Sequence, residues 1–158
     1  MTMLLSKPFV NSVVEMFSQM ADIDVVIDGD IFSDTNEIVS YGVTSIITFV
    51  GTIKGRLLLD MEPSLAITFT QKITDDTYDS SRDPMVLAMI SELNNVIAGD
   101  ANTIINNEYK LGLRLAPPVV FVGKDTVITI PKLSSKSVNY TTAFGKLKVN
   151  IAFEGGWQ

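Results

Sequence analysis

The stretch from Asp83 to Ile104 constrains this chain more than any other. Val86, Ile90, Leu93, Ile97, Ala101 and Ile104 recur at spacings of three and four, the repeat of a helix with a single apolar face. Asp83 offers a capping carboxylate, and Pro84 suits a first-turn position, where a missing N–H costs nothing. A helix of this length must lay its stripe on a second layer of structure.

Strand-like runs for that layer lie on both sides. Residues 43–50 and 54–61 flank a Gly51–Ile53 turn and read as an antiparallel hairpin. Residues 24–27, 111–115, 119–122, 126–130 and 143–153 are also strand-like, Asp28-Gly29-Asp30 reads as a turn, and residues 131–142 read as a polar loop. Two more helices are expected. One covers residues 7–20, with Phe9, Val13, Met16 and Met20 on one face, and the other opens at Pro63 and runs to about Ile73. The polar segment 74–83 connects two halves. These resemble each other weakly: a shift of 77 places Glu15 on Glu92, Met16 on Leu93 and Ser18 on Asn95, while Gly51-Thr-Ile-Lys is echoed 94 residues on by Gly145-Lys-Leu-Lys. An old duplication with an insertion accounts for both offsets. We read residues 1–154 as one domain and 155–158, with Trp157, as a C-terminal tail.

The chain has no His and no Cys. It therefore cannot assemble a Ser-His-Asp triad, a Cys nucleophile or a zinc site of the usual kind. Its 12 Lys and Arg against 18 Asp and Glu give a formal charge of −6, which repels the phosphate backbone of nucleic acid and suits a partner presenting a basic group. Apolar runs break well short of the ~20 residues a membrane span needs. With no Cys, and with residues 1–6 too short for a signal peptide, the expected compartment is the cytoplasm.

On the long helix, Glu92 and Asn95 point about 150° away from the apolar stripe, one turn apart and toward solvent. Ala88 and Gly99 share their side, giving the order Ala, Glu, Asn, Gly along the axis. Glycine inside a helix costs about 0.8–1 kcal/mol relative to Ala, a cost that close approach of another backbone would explain. The ordinary account of an exposed Glu and Asn is a solvated helix face. The wider run Ile90-Ser-Glu-Leu-Asn-Asn-Val-Ile-Ala-Gly-Asp-Ala, however, resembles the central helix of the CheX branch of the CheC/CheX/FliY chemotaxis phosphatases. Their signature is a Glu, two residues, an Asn, 22 residues and a Pro. Glu92, Asn95 and Pro118 match it, and the strand Pro118-Val-Val-Phe-Val-Gly123 carries the family's Pro-then-Gly pattern. One position departs: where the family has Asp or Ser four residues before the Glu, this chain has Ala88.

The resemblance implies an α+β domain of CheC-like fold, with an antiparallel sheet, helices packed on one face and pseudo-duplicated halves, which the hairpin pattern permits. It implies dephosphorylation of the aspartyl phosphate of a CheY-like receiver, with Asn95 orienting a water and Glu92 pairing with the receiver's active-site Lys. Ala88 and Gly99 would border the docked partner. No cofactor is expected on this chain, and Mg²⁺ is expected in the receiver. The CheX branch tends toward dimers. A non-catalytic receiver-binding or scaffold module is the alternative, with Ala88 in its favour. The first helix carries Asn11, Glu15 and Ser18 on the equivalent stripe, which reads as a lapsed second site or a plain solvated face. The acidic series Asp22, Asp24, Asp28, Asp30, Asp34 and Glu37 lacks the ligand order of a calcium loop, and Gly51 to Gly55 lacks phosphate-loop spacing. Met16, Met20, Met85 and Met89 read as core filling.

Overall fold

The computed structural model describes residues 2–33, 37–129 and 134–154. In chain order the elements are α1 (Thr2–Ala21), β1 (Val26–Ile27), β2 (Phe32–Ser33), β3 (Glu37–Val39), β4 (Val43–Val50), β5 (Lys54–Met61) and α2 (Pro63–Thr74). There follow α3 (Pro84–Tyr109), β6 (Arg114–Leu115), β7 (Val119–Val122), β8 (Val127–Thr129), β9 (Ser134–Thr142) and β10 (Gly145–Phe153). The strands pair antiparallel in the order β1-β9-β10-β5-β4-β6, with β2 also on β9 and β7 also on β4. The two hairpins, β4–β5 and β9–β10, meet at the β5–β10 seam, and that is the arrangement expected of duplicated halves.

All three helices among the described residues lie on one face of the sheet. Alternate residues of the central strands, among them Ile47, Leu57, Leu59, Val149 and Ile151, join Phe9, Phe17, Phe69, Val86, Leu93 and Ile97 in one core. Full burial of each such side chain is worth roughly 1.5–3 kcal/mol. Phe9 sits 5.6 Å from Phe49 and 6.1 Å from Phe153, fastening α1 to β4 and β10, while Phe17 and Phe69 at 5.3 Å fasten α1 to α2. The other face of the sheet is partly covered by the β3–β8 ribbon, where Ile38 and Leu58 are buried against Ile46 and Ile128. Beside them Asp60 is fully buried, accepting from Ser40 Oγ (3.0 Å), Tyr41 N (2.9 Å) and Thr44 Oγ1 (2.9 Å). Among the described residues no helix is long and apolar enough to cross a membrane.

Several expectations need correction. The segment expected to be a polar loop contains β9, with residues 131–133 outside the described set. It is polar because Ser135 and Ser137 lie on the second sheet face, where each accepts a 3.0 Å bond from Asn150 Nδ2, while Val138 and Tyr140 alternate into the core. The last strand begins at Gly145, after a turn, and the strand expected over residues 111–115 is regular only at β6. Helix α1 starts five residues before Lys7 and buries Leu5, Phe9, Val13 and Phe17, leaving Met16 and Met20 only partly covered. Ile104 is 45% exposed and Ile105 is buried in its place, because the covered face of so long a helix winds around its axis toward Ala98, Asn102 and Ile105. Met85 is also 45% exposed and fills no core. Asp34, Ile130 and the tail at 155–158 lie outside the described residues.

Candidate active site

The candidate site is built on α3. Asp83 caps it, its Oδ1 accepting from Met85 N at 2.9 Å, and Pro84 occupies the first turn. Lys110 closes it in the left-handed conformation, at φ 57°. Nine residues of α3 are buried, from Val86 to Ile105, and they commit one side of the helix to the core. On the other side Ala88 and Glu92 are exposed, and Asn95 and Gly99 are half-buried. Of the stripe expected to face solvent, Ala88 and Glu92 do so, while Asn95 and Gly99 are partly covered.

Gly99 is not demanded by the fold. A Cβ there would meet only Leu115 Cδ1, at 3.7 Å, an ordinary contact. The space beside Asn95 is therefore open, and Leu115 on β6 forms its flank. Beyond Leu115 the edge of the sheet is irregular. Phe49 pairs with Leu115 and Ile46 with Val119, so residues 116–118 face only Thr48 and Ile47. That is a bulge with one extra residue, and Pro117 and Pro118 fill it, where absent N–H donors break no ladder bond. Both β6 and β7 pack against α3. Pro118, remote from Asn95 in sequence, thus belongs to the strand edge that borders the helix.

The stripe on α1 stands differently. Asn11, Glu15 and Ser18 are all exposed. Asn11 and Glu15 line a groove of about 230 Å³ between α1 and α3, with Lys7 on one wall and Asp100, Ile104 and Glu108 on the other. Ser18 is not part of it. Glu15 therefore shares its surroundings with two further carboxylates and with Lys7.

The described groups whose acidity the fold shifts are Arg56, Asp60 and Tyr140 in the sheet and Tyr41 in the turn before β4. Burial raises the pKa of Asp60 against the opposing influence of its hydrogen bonds and Lys148, and burial lowers that of Arg56, whose Nη2 donates to Asn150 Oδ1 at 3.1 Å. Among the described residues no group of three His, Cys, Asp or Glu converges as metal ligands. Chemically, the α3 stripe can offer a carboxylate to a cation and an amide to a water or phosphoryl oxygen. A contact that sequence reasoning missed lies directly beneath it: Asn94, fully buried, donates its Nδ2–H to Ser45 Oγ of β4 at 2.9 Å.

Comparison with solved structures shows the fold to be a known one. The chain superposes on the chemotaxis protein CheX from Vibrio vulnificus with a TM-score of 0.86 at 23% identity, covering 96% of this chain and 99% of that one. A CheC-like superfamily protein from Shewanella sp. PV-4 gives a TM-score of 0.89 at 23% identity, with 98% and 100% covered. The CheX–CheY–BeF₃–Mg²⁺ complex from Borrelia burgdorferi gives 0.80 at 22% identity, with 94% and 96% covered. Comparison with curated proteins finds no match. The model of the family described as chemotaxis phosphatase CheX matches residues 43–142, which span the β4–β5 hairpin, α2, all of α3 and the strands through β9. With Glu92, Asn95 and Pro118 inside that match, the chain belongs to the CheX family of chemotaxis phosphatases.

Proposed function

We propose that this phosphatase acts on the aspartyl phosphate of a CheY-like receiver domain through Asn95 and Glu92, in the cytoplasm, where receivers are phosphorylated. The observation that carries the reading is the α3 stripe: an exposed Glu and a half-buried Asn one turn apart, with open space beside the Asn at Gly99. The CheX–CheY complex of the same fold supports a receiver as the partner.

The chemistry asks little of this chain. The phosphorus of an acyl phosphate is attacked in line by water, the P–O bond to the receiver's aspartate breaks, and inorganic phosphate and a free carboxylate result. Asn95 is not basic. Its amide carbonyl accepts a hydrogen bond from the attacking water and holds it on the line of attack, the positioning role a Gln plays in GTPases. Glu92 pairs with the receiver's active-site Lys and sets the register of docking. The receiver would hold the Mg²⁺ and with it the screening of the phosphoryl charge. Ala88 leaves the end of the stripe without a hydrogen-bonding side chain, so docking relies on the two polar groups and on van der Waals contact at Ala88 and Gly99.

The test is phosphate release from a purified CheY-like receiver phosphorylated by acetyl phosphate, with Mg²⁺. The chain should accelerate release well above the receiver's own decay. It should hydrolyse no small phosphate ester on its own, with or without Mg²⁺. Binding to the phosphorylated receiver without acceleration would show a scaffold module instead.

A further inference from the structure

We infer that Asn94 and Ser45 are positioning residues for the phosphatase site, their hydrogen bond setting the rotation of α3 and thereby the placement of the Asn95 amide. The inference rests on the reading of Asn95 given above and extends it to a pair with no access to the receiver, since both residues are fully buried.

The geometry is direct. Asn94 precedes Asn95, and its Nδ2–H reaches Ser45 Oγ at 2.9 Å across 49 residues of sequence. Ser45 lies on β4 opposite Val120 of β7, one position from the Ile46–Val119 pair that ends the proline bulge. The bond therefore ties the turn of α3 carrying Asn95 to the strand pair that borders the site. The neighbouring residues of the buried face, Leu93, Ile97, Ala98 and Ala101, are apolar and set depth more than direction, and Asn102, two turns on, is buried with no side-chain partner among the described residues.

Stability alone does not account for the pair. Asn94 Oδ1 has no hydrogen-bond partner among the described residues, and a buried amide with one polar atom unpaired is inferior to an apolar residue of similar size. What the amide supplies is orientation. Side-chain tips lie about 5–6 Å from a helix axis. A rotation of α3 by about 10° would thus move the Asn95 amide by about 1 Å, and a misplacement of that size can cost about 100-fold in rate.

Three variants of the full chain test this, each assayed for kcat and KM on a CheY-like receiver phosphorylated by acetyl phosphate and for Tm. Ser45→Val removes the hydroxyl, Ser45→Thr keeps it in the same shape, and Asn94→Leu with Ser45→Ala makes the whole contact apolar. We expect Ser45→Val and the double variant to lose roughly 10- to 100-fold in kcat with KM unchanged, the double variant to keep or raise its Tm, and Ser45→Thr to retain kcat. If the β-branched residues do not fit at position 45, the double variant alone decides. A folded Ser45→Val or double variant with full kcat overturns the inference, as does a loss that appears in KM. A wild-type chain that leaves receiver decay unchanged overturns the phosphatase reading and this inference with it. An active wild type beside an equally active double variant overturns the inference alone.

Discussion

Helices α1 and α3 lie side by side on the same face of the sheet and present equivalent stripes, yet only α3 carries an amide three residues after its carboxylate. On α3 the order is Ala88, Glu92, Asn95, Gly99; on α1 it is Asn11, Glu15, Ser18. A hydroxyl is shorter than a carboxamide and offers one donor where the amide offers two. The surroundings differ as much as the residues. Gly99 leaves space beside Asn95, whereas Glu15 lines a groove between the two helices with Lys7, Asp100 and Glu108. Duplicating a helix and its strands duplicates the scaffold. On the proposed reading, activity depends on the few side chains that complete the stripe.

The comparison breaks most sharply at the amide. Asn95→Ala should lower turnover of a phosphorylated receiver by about 10²–10³-fold, the usual loss for one preorganised hydrogen-bonding group, with binding nearly intact. Ser18→Ala should leave turnover unchanged. Equal turnover by Asn95→Ala and the wild type would remove the amide from the mechanism.

The carboxylates come next. Glu92→Gln should weaken association with the receiver by about 2 kcal/mol, the low end for a charge pair buried on docking, and Glu15→Gln by less than about 0.5 kcal/mol. Titration calorimetry on the beryllofluoride-loaded receiver separates them. Identical losses would mean that both helices dock.

Gly99 sharpens the comparison on a smaller scale. Gly99→Ala should stabilise the free protein by about 0.8–1 kcal/mol, since a Cβ fits without displacing Leu115. Gly99→Leu should fold and yet lose receiver phosphatase activity, because its side chain would fill the space beside Asn95. A folded, fully active Gly99→Leu would place the docking surface elsewhere.

Much of this was legible in the sequence, and the exceptions have physical reasons. Helix α3 and the β4–β5 hairpin announce themselves because their periodicity is long and their caps and turn are local. Strand β9 does not: Ser135 and Ser137 are polar, and their acceptance of bonds from Asn150 is a cross-strand fact. The alternation of Val138 and Tyr140 was its one local signal. At the ends of α3, periodicity identifies apolar residues but not whether anything covers them, so Met85 and Ile104 were misplaced. The stripe of Glu92, Asn95 and Gly99 could be read because it lies opposite the apolar face of its own helix, whereas Asn94 could not, its partner lying on a distant strand.

The smallest effect concerns a second contrast, between the carboxylate exposed on α3 and the one buried in the sheet. Glu92 is free to meet a partner, while Asp60 is enclosed by Ser40, Tyr41 and Thr44 and serves the fold. Burial raises the pKa of Asp60 above the ordinary carboxylate value, so the folded state takes up a proton at a higher pH than the unfolded chain does. In the window between those two values the folded state holds more protons. Its stability therefore falls as pH rises through the window and increases as pH falls through it, the reverse of a salt-bridged carboxylate. Below the unfolded value Asp60 adds no further pH dependence. Asp60→Asn cannot titrate, so the stability of the wild type relative to this variant should grow on acidification from neutral pH toward the ordinary carboxylate range. Denaturant unfolding at a series of pH values measures the difference. A wild type that instead loses ground to the variant on acidification would show that the three hydrogen bonds to Asp60 outweigh its desolvation.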